Sequence, residues 1–301
     1  MKVNNKYFLT VFTPTYNRAH TLTRLYESLT KQSDFDFEWI VVDDGSTDNT
    51  ESLINEFSKK DNKFPIIFYK QPNGGKHRAI NRGVKMAQGD WFIILDSDDW
   101  LSANAVDIIR KRTVGIQNDS RFCSITGLRV SPDNITIGDE CNYDSIDTNF
   151  FDYRFKYKVI GDRAEVIRTS VMRKFPFQEF EGENFLGEGS VWYDMSKEYI
   201  TRYTNDRFYI CEYQSGGLTD TFQQRCDKNP CGAMLSKLTI LRHPHCGIKD
   251  WILANSAYFH YYNIFKESGK PILEELKPTK MMRIINVFNP LLKIVYRIIN
   301  K

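Results

Sequence analysis

The sequence predicts an α/β fold built on a mostly parallel sheet with helices on both faces. Strand-like runs alternate with helix-length segments from Tyr7 onward, the order that produces parallel sheets. Trp91-Phe-Ile-Ile-Leu95 is apolar without interruption, as a strand covered on both faces requires. Two of these runs pass directly into carboxylates, and open α/β sheets bind ligands at the carboxyl ends of their strands.

Taken in order, Tyr7 to Thr13 reads as the first strand and ends in Pro14-Thr-Tyr-Asn-Arg18. Leu22, Leu25, Tyr26 and Leu29 then recur at helical spacing. Phe37-Glu-Trp-Ile-Val-Val42 is a second buried strand, closed by Asp43 and Asp44. Gly45 permits a sharp turn, Ser46 or Thr47 can cap a helix running to Lys59, and Asp48 and Glu51 suit its positive end. Pro65 to Tyr69 is a third strand, followed by Gly74-Gly75 and a helix bearing Lys76, His77, Arg78 and Arg82. The Trp91–Leu95 strand runs into Asp96, Ser97, Asp98 and Asp99. Further helices are expected over Ser190–Tyr199, Arg225–Arg242 and Lys249–Lys266, the last rich in aromatics that suit packing. Arg207 to Tyr213 reads as a late strand, and Gln214 to Asp220 as a loop able to close over a ligand.

One Asp after a strand would read as a helix cap. Three carboxylates within one short turn repel one another unless a positive charge sits among them, and hard divalent cations take such oxygen ligands. Asp43 and Asp44, with Tyr16 and Arg18, belong to the same rim. That edge offers acids for a base or ribose, acids for a metal and basic groups for phosphates: a nucleoside-diphosphate site. Neither GxxxxGK[ST] nor GxGxxG occurs, which disfavours a P-loop ATPase and a dinucleotide-binding fold.

The chain's 301 residues suit one large domain or two modest ones. From Lys277 onward it carries Lys277, Lys280, Arg283, Lys293, Arg297 and Lys301 and no acid, so the overall charge of +3 belongs to the tail and the remainder is slightly acidic. Cys226 and Cys231 lie near His243 and His245 but lack zinc-ligand spacing, and all six cysteines read as reduced thiols. No signal peptide and no apolar run long enough to span a bilayer is recognised. The expected location is cytoplasmic.

Thr13-Pro-Thr-Tyr-Asn-Arg18, Val41-Val-Asp-Asp-Gly-Ser-Thr-Asp48, Asn73-Gly-Gly-Lys-His77 and Leu95-Asp-Ser-Asp-Asp-Trp100 stand in the order and spacing seen in family 2 glycosyltransferases. Over residues 7 to 220 the chain resembles that family. The resemblance implies a Rossmann-like GT-A fold, a nucleotide-sugar donor and inversion at the anomeric carbon. It implies that Pro14, Tyr16 and Arg18 line the nucleotide pocket, and that Asp43 reads the uracil edge with Asp44 beside it. Asp96 and Asp98 match the DxD signature, Asp96 near the ribose or sugar and Asp98 on the Mg²⁺ or Mn²⁺ that bridges the diphosphate. Ser97 belongs to the same donor-binding set, and Asp99 shares either duty of the flanking acids, including the metal. Lys76 looks like a donor-phosphate or sugar contact; a solvated basic helix start is the alternative. Arg78 and Arg82 read as surface charges.

Inverting transfer needs a base for the acceptor hydroxyl. In the family this is an acid just before a helix, well downstream of the DxD. The matching segment here, Phe175 to Trp192, holds Glu179, Glu181, Glu183 and Glu188. Glu188, before the expected helix, fits best and Glu183 is the reserve; a helix-start carboxylate favoured by the dipole is the competing account of Glu188. Gly187-Glu188-Gly189 departs from the family's commoner Glu-Asp or Gly-Asp. Trp192 reads as core.

The expected organisation is a GT-A domain over 1–220, a helical extension over 221–279 and a basic amphipathic tail over 280–301. That tail suits an anionic membrane surface, with docking onto the protein as the alternative. The expected function is transfer of a sugar from a UDP-sugar to a glycan acceptor, lipid-linked, at the inner face of the cell membrane, with no nucleic-acid partner. The rivals are a sugar-phosphate nucleotidyltransferase and a non-catalytic partner of another transferase.

Overall fold

The computed structural model describes residues 6–212 and 221–288. They form two compact units, 6–177 with 198–212, and 178–197 with 221–288. Segment 178–197 therefore groups with helices, where a single boundary at 220 would have left it with the sheet.

The first unit follows the expected alternation through β1 (Tyr7–Thr15), α1 (Ala19–Thr30), β2 (Phe37–Asp43), α2 (Thr50–Ser58), β3 (Ile66–Lys70), α3 (Lys76–Met86) and β4 (Gly89–Ile94). It continues through β5 (Trp100–Leu101), α4 (Ala105–Thr113), β6 (Phe122–Val130), β7 (Thr136–Ile137), β8 (Ser145–Thr148), α5 (Phe150–Phe155), β9 (Arg163–Arg168) and α6 (Thr169–Met172). After α7 (Gly189–Met195) of the second unit, β10 (Ile200–Ile210) completes the sheet. Strand order is β3-β2-β1-β4-β9-β6-β10-β5, with β7 on β6 and β8 on β10. Strands β1 to β4 pair in parallel, and so do β6 and β10. Among the long strands of the described residues only β9 opposes its neighbours.

Alternation sets the two faces. Leu9, Val11, Trp39, Val41, Trp91 and Ile93 pack with Leu22, Leu25, Leu29, Ile54, Val106 and Ile109 from α1, α2 and α4. Every residue of β2 is buried, as a strand covered on both sides must be. On the other face, a Cβ at Gly83 would come within 2.2 Å of the Phe12 ring, so glycine there lets α3 lie on β1. Helix α2 starts later than expected because Ser46 is otherwise engaged: its Oγ accepts the Asn17 N–H at 2.8 Å. Asp48, one residue before the N-cap Asn49, accepts the Thr50 N–H at 3.1 Å in a local side-chain turn.

The second unit contains α7, α8 (Phe222–Lys228), α9 (Pro230–Leu241), α10 (Ile248–Glu267), a 3₁₀ turn at Glu274–Leu276 and a helical stretch over 280–288. The single helix expected over Arg225–Arg242 is two. Pro230, with no N–H to give, opens α9, and Asn229 before it has φ −129° and ψ 63°. Met234, Leu238, Tyr258, Phe265 and Leu276 centre its core, so the α10 aromatics are packing residues as expected. In the last helical stretch Met282 is buried whereas Met281, Ile284, Val287 and Phe288 are exposed. The rest of the tail and the loop expected at Gln214 to Asp220 lie outside the described residues.

Candidate active site

The carboxyl ends of β1, β2 and β4 are brought together by register: Thr15 pairs with Asp43, and the Leu95 N–H donates to the Phe12 carbonyl at 2.8 Å. Pro14 is buried, Tyr16 is 49% exposed and Arg18 is half-buried, its carbonyl starting α1. Between them Asn17 adopts φ +53°, a left-handed conformation that Asn tolerates. Its Oδ1 accepts the Thr47 N–H at 2.8 Å, tying the turn after β1 to the turn after β2.

Asp43 and Asp44 divide their labour. Asp44 spends both oxygens inside the protein, accepting from Gln71 Nε2 at 2.8 Å, Gly74 N at 3.0 Å and Gly75 N at 2.7 Å. It anchors the Asn73–Gly75 loop that delivers Lys76, so its geometry is that of a scaffold. Gly45 completes this joint with φ +86°, and a Cβ there would fall 2.9 Å from the Asn73 nitrogen. Asp43 is fully buried, and its Oδ1 accepts the Ser46 N–H at 2.8 Å. Its Oδ2 has no hydrogen bond, the Lys70 ammonium standing 3.9 Å away. The hydroxyl of Thr15, its register partner, is likewise buried without a hydrogen bond. Two buried polar atoms on register-paired residues, neither with a hydrogen bond, are what a ligand's polar edge would satisfy. Thr15 was not anticipated, because a Thr ending a strand carries no signal of its own.

Asp96, Asp98 and Asp99 meet three different fates. Asp96 Oδ1 lies 2.6 Å from the Lys76 ammonium and its Oδ2 lies 3.9 Å from Arg129. Burial works to raise its pKa, yet the Lys76 and Arg129 charges prevail and hold it below the usual carboxylate range. Asp99 is buried and accepts the Tyr209 hydroxyl at 2.7 Å. Burial first, and then the Asp96 charge, push it up to about 7. Asp98 is half-buried, and among the described residues its carboxylate has neither hydrogen bond nor ion pair. Ser97, between the acids, is buried.

Arg129 on β6 and Tyr209 on β10 organise this turn. The Asp96 N–H donates to Tyr209 Oη at 3.0 Å, and the Arg129 guanidinium lies 4.6 Å from the Tyr209 ring centre. Burial lowers the Arg129 pKa, but Tyr209, Asp96, Glu165 and Asp162 outweigh it and keep the cation charged. Neither residue was anticipated: β6 was not read from the sequence, and Tyr209 fell within an expected strand without a role.

Among the described residues no three His, Cys, Asp or Glu side chains are grouped to hold a divalent cation. A hard cation that takes one or two carboxylates and completes its shell with diphosphate oxygens and water fits Asp98. Asp96 is ion-paired with Lys76 and Arg129, and Asp99 accepts the Tyr209 hydroxyl, which leaves Asp98 as the acid of the turn whose carboxylate has no partner among the described residues. Among the described residues the cysteines join no group of three possible metal ligands; burial raises the Cys226 thiol, and burial followed by Glu183 pushes Cys231 up to about 12.

Glu188 belongs to the second unit, half-buried at the start of α7, its carbonyl accepting the Val191 and Trp192 N–H groups. Trp192 is buried, as expected. Glu183, the reserve base, caps α9: its carboxylate accepts Cys231 N at 2.7 Å and Gly232 N at 2.9 Å.

Residues 10–168 match the family model of glycosyl transferase family 2, a span that includes all four motifs. The chain is 30% identical over 145 residues to Glycosyltransferase GlyG of Streptococcus pneumoniae serotype 4, covering 48% of this chain and 43% of that protein. It is 29% identical over 196 residues to the GalNAc(5)-diNAcBac-PP-undecaprenol beta-1,3-glucosyltransferase of Campylobacter jejuni, covering 63% and 60%. It thus spans less than two thirds of either relative. The structure of S. aureus TarS 1-349 in complex with UDP-GlcNAc aligns over 94% of this chain and 79% of that one, with TM-score 0.59 and 17% identity. A mannosyltransferase from Pyrobaculum calidifontis in complex with GDP-Man and Mn²⁺ aligns over 94% and 84%, with TM-score 0.56 and 14% identity. These likenesses show the fold: a central sheet flanked by helices, shared with GT-A glycosyltransferases.

Proposed function

This chain belongs to glycosyltransferase family 2, and we propose that it transfers a sugar from a nucleoside-diphosphate sugar, a UDP-sugar first, to a hydroxyl of a lipid-linked glycan in surface-polysaccharide synthesis. The observation that carries the donor reading is the Asp98 carboxylate, half-buried at the strand rim and unengaged among the described residues, while both neighbouring acids are occupied. Asp43 Oδ2 and the Thr15 hydroxyl support a base or ribose contact at the adjacent strand ends. The UDP-GlcNAc complex of TarS supports uridine over guanosine; the GDP-Man complex makes GDP the control.

A bound Mg²⁺ or Mn²⁺ would supply Lewis-acid charge at the departing diphosphate. Asp98 would hold that cation, and Lys76, released from Asp96, would meet phosphate or sugar oxygens. The acceptor oxygen bonds to the anomeric carbon as the carbon–oxygen bond to the diphosphate breaks, inverting the centre. Glu188, as base, takes the acceptor's hydroxyl proton. The undecaprenol-linked substrate named for the Campylobacter relative supports a lipid-linked acceptor, as does the tail. Exposed Met281, Ile284, Val287 and Phe288 beside Lys280 and Arg283 suit peripheral attachment to an anionic inner-leaflet surface. No helix among the described residues is long and apolar enough to cross a membrane.

Turnover of a panel of UDP- and GDP-sugars, with Glu188→Gln beside the wild type, tests the proposal. The expected result is one preferred UDP-sugar, with transfer reduced roughly 10²- to 10⁴-fold in the variant and UDP affinity retained. Full transfer by Glu188→Gln would remove Glu188 as base. A folded wild type that turns over no sugar nucleotide would remove the transferase reading.

A further inference from the structure

We propose that Arg24 is a positioning residue for the metal-binding turn, holding the Asp98 backbone so that its carboxylate faces a bridging cation; this rests on the reading of Asp98 as metal ligand. Arg24 stands on α1, whose Leu22, Leu25 and Leu29 are fully buried in the sheet core. Its Nη2 donates to the Asp98 carbonyl at 2.8 Å and its Nη1 to Glu212 Oε2 at 2.7 Å. The guanidinium carbon lies 3.8 Å from the Trp100 ring centre. The group is thus fixed by a carbonyl, a carboxylate and an aromatic face at once.

The contact belongs to a regular pattern. Arg24, Ser28 and Gln32 recur every four residues, the spacing that lines one side of a helix and its extension. Ser28 Oγ accepts the Leu101 N–H at 3.2 Å, and Gln32 Nε2 donates to the Ser102 carbonyl at 2.7 Å. Helix α1 therefore pins the chain at 98, 101 and 102. Of the three side chains, only Arg24 bonds an acid of the turn. Lys76, Arg129 and Tyr209 restrain Asp96 and Asp99, whereas Asp98 is restrained through its own carbonyl. A planar, forked cation can make both hydrogen bonds while stacked on the indole; a lysine ammonium can keep the charge and one bond.

The test is UDP calorimetry with and without Mn²⁺ on the full chain, comparing wild type, Arg24→Lys, Arg24→Gln and Glu212→Gln, with thermal melts of each. The readout is the gain in UDP affinity that Mn²⁺ confers. Residues that orient a metal ligand typically change metal affinity roughly 10- to 100-fold, so that gain should fall by this factor in Arg24→Gln and by less in Arg24→Lys and Glu212→Gln. A merely structural role would lower the melting temperature and leave the gain intact. If Arg24→Gln does not fold, an undiminished gain in both Arg24→Lys and Glu212→Gln overturns the proposal. A folded Arg24→Gln with the full gain overturns it alone. A wild type whose UDP affinity ignores Mn²⁺ overturns the ligand reading of Asp98, and this proposal with it.

Discussion

Asp99 sits beside two other acids, buried, with the Tyr209 hydroxyl as its donor. Raised to about 7, first by burial and then by Asp96, it holds a proton in the folded, metal-free protein at pH values where the unfolded chain has released it. Stability therefore falls as pH rises from the ordinary carboxylate range to about 7. Asp99→Asn should flatten that dependence in melts recorded with EDTA between pH 5 and pH 8; an unchanged slope would mean the carboxylate is ionised throughout. Asp44 gives a second residue-scale prediction. Losing its buried bonds to Gln71, Gly74 and Gly75 should cost on the order of 2–3 kcal/mol in urea unfolding of Asp44→Ala. The sequence announced that these acids cluster, because carboxylates after a buried strand are visible in one dimension. It did not announce their division of labour, since Arg129 and Tyr209 reach the turn from strands remote in the chain.

At the scale of elements, β1 to β4 and their helices were legible because each announces itself through local period and a turn. The register that places Thr15 beside Asp43 follows from parallel pairing of β1 and β2. Strands β6 and β9 were not legible: their meaning lies in pairing across the sheet, with β9 entering antiparallel between β4 and β6. Helix α9 illustrates how a candidate acid is reassigned. Glu183, the reserve base by sequence, has both carboxylate oxygens on the N–H groups of Cys231 and Gly232. Glu183→Ala should cost about 1–2 kcal/mol, the range for a lost helix cap, seen as a lower urea midpoint, while Glu188→Gln should retain the wild-type midpoint and lose transfer. The reverse pattern would exchange their roles.

For the whole molecule, the family's sheet and the helical unit are each built on their own core, and the basic tail follows the second. Deleting residues 280–301 should abolish sedimentation with vesicles containing anionic lipid while UDP binding persists. Equal vesicle binding by the truncated chain would place membrane contact elsewhere. The α/β class was legible from the strand–helix alternation, and the GT-A expectation from four motifs in register. The proposed function turns on a cation-dependent nucleoside-diphosphate site at Asp98. Calorimetry of UDP with and without Mn²⁺, on wild type and Asp98→Ala, tests it most directly. Tighter binding with Mn²⁺ in the wild type and no such gain in the variant is the expected result; an equal gain in both would remove Asp98 as the metal ligand.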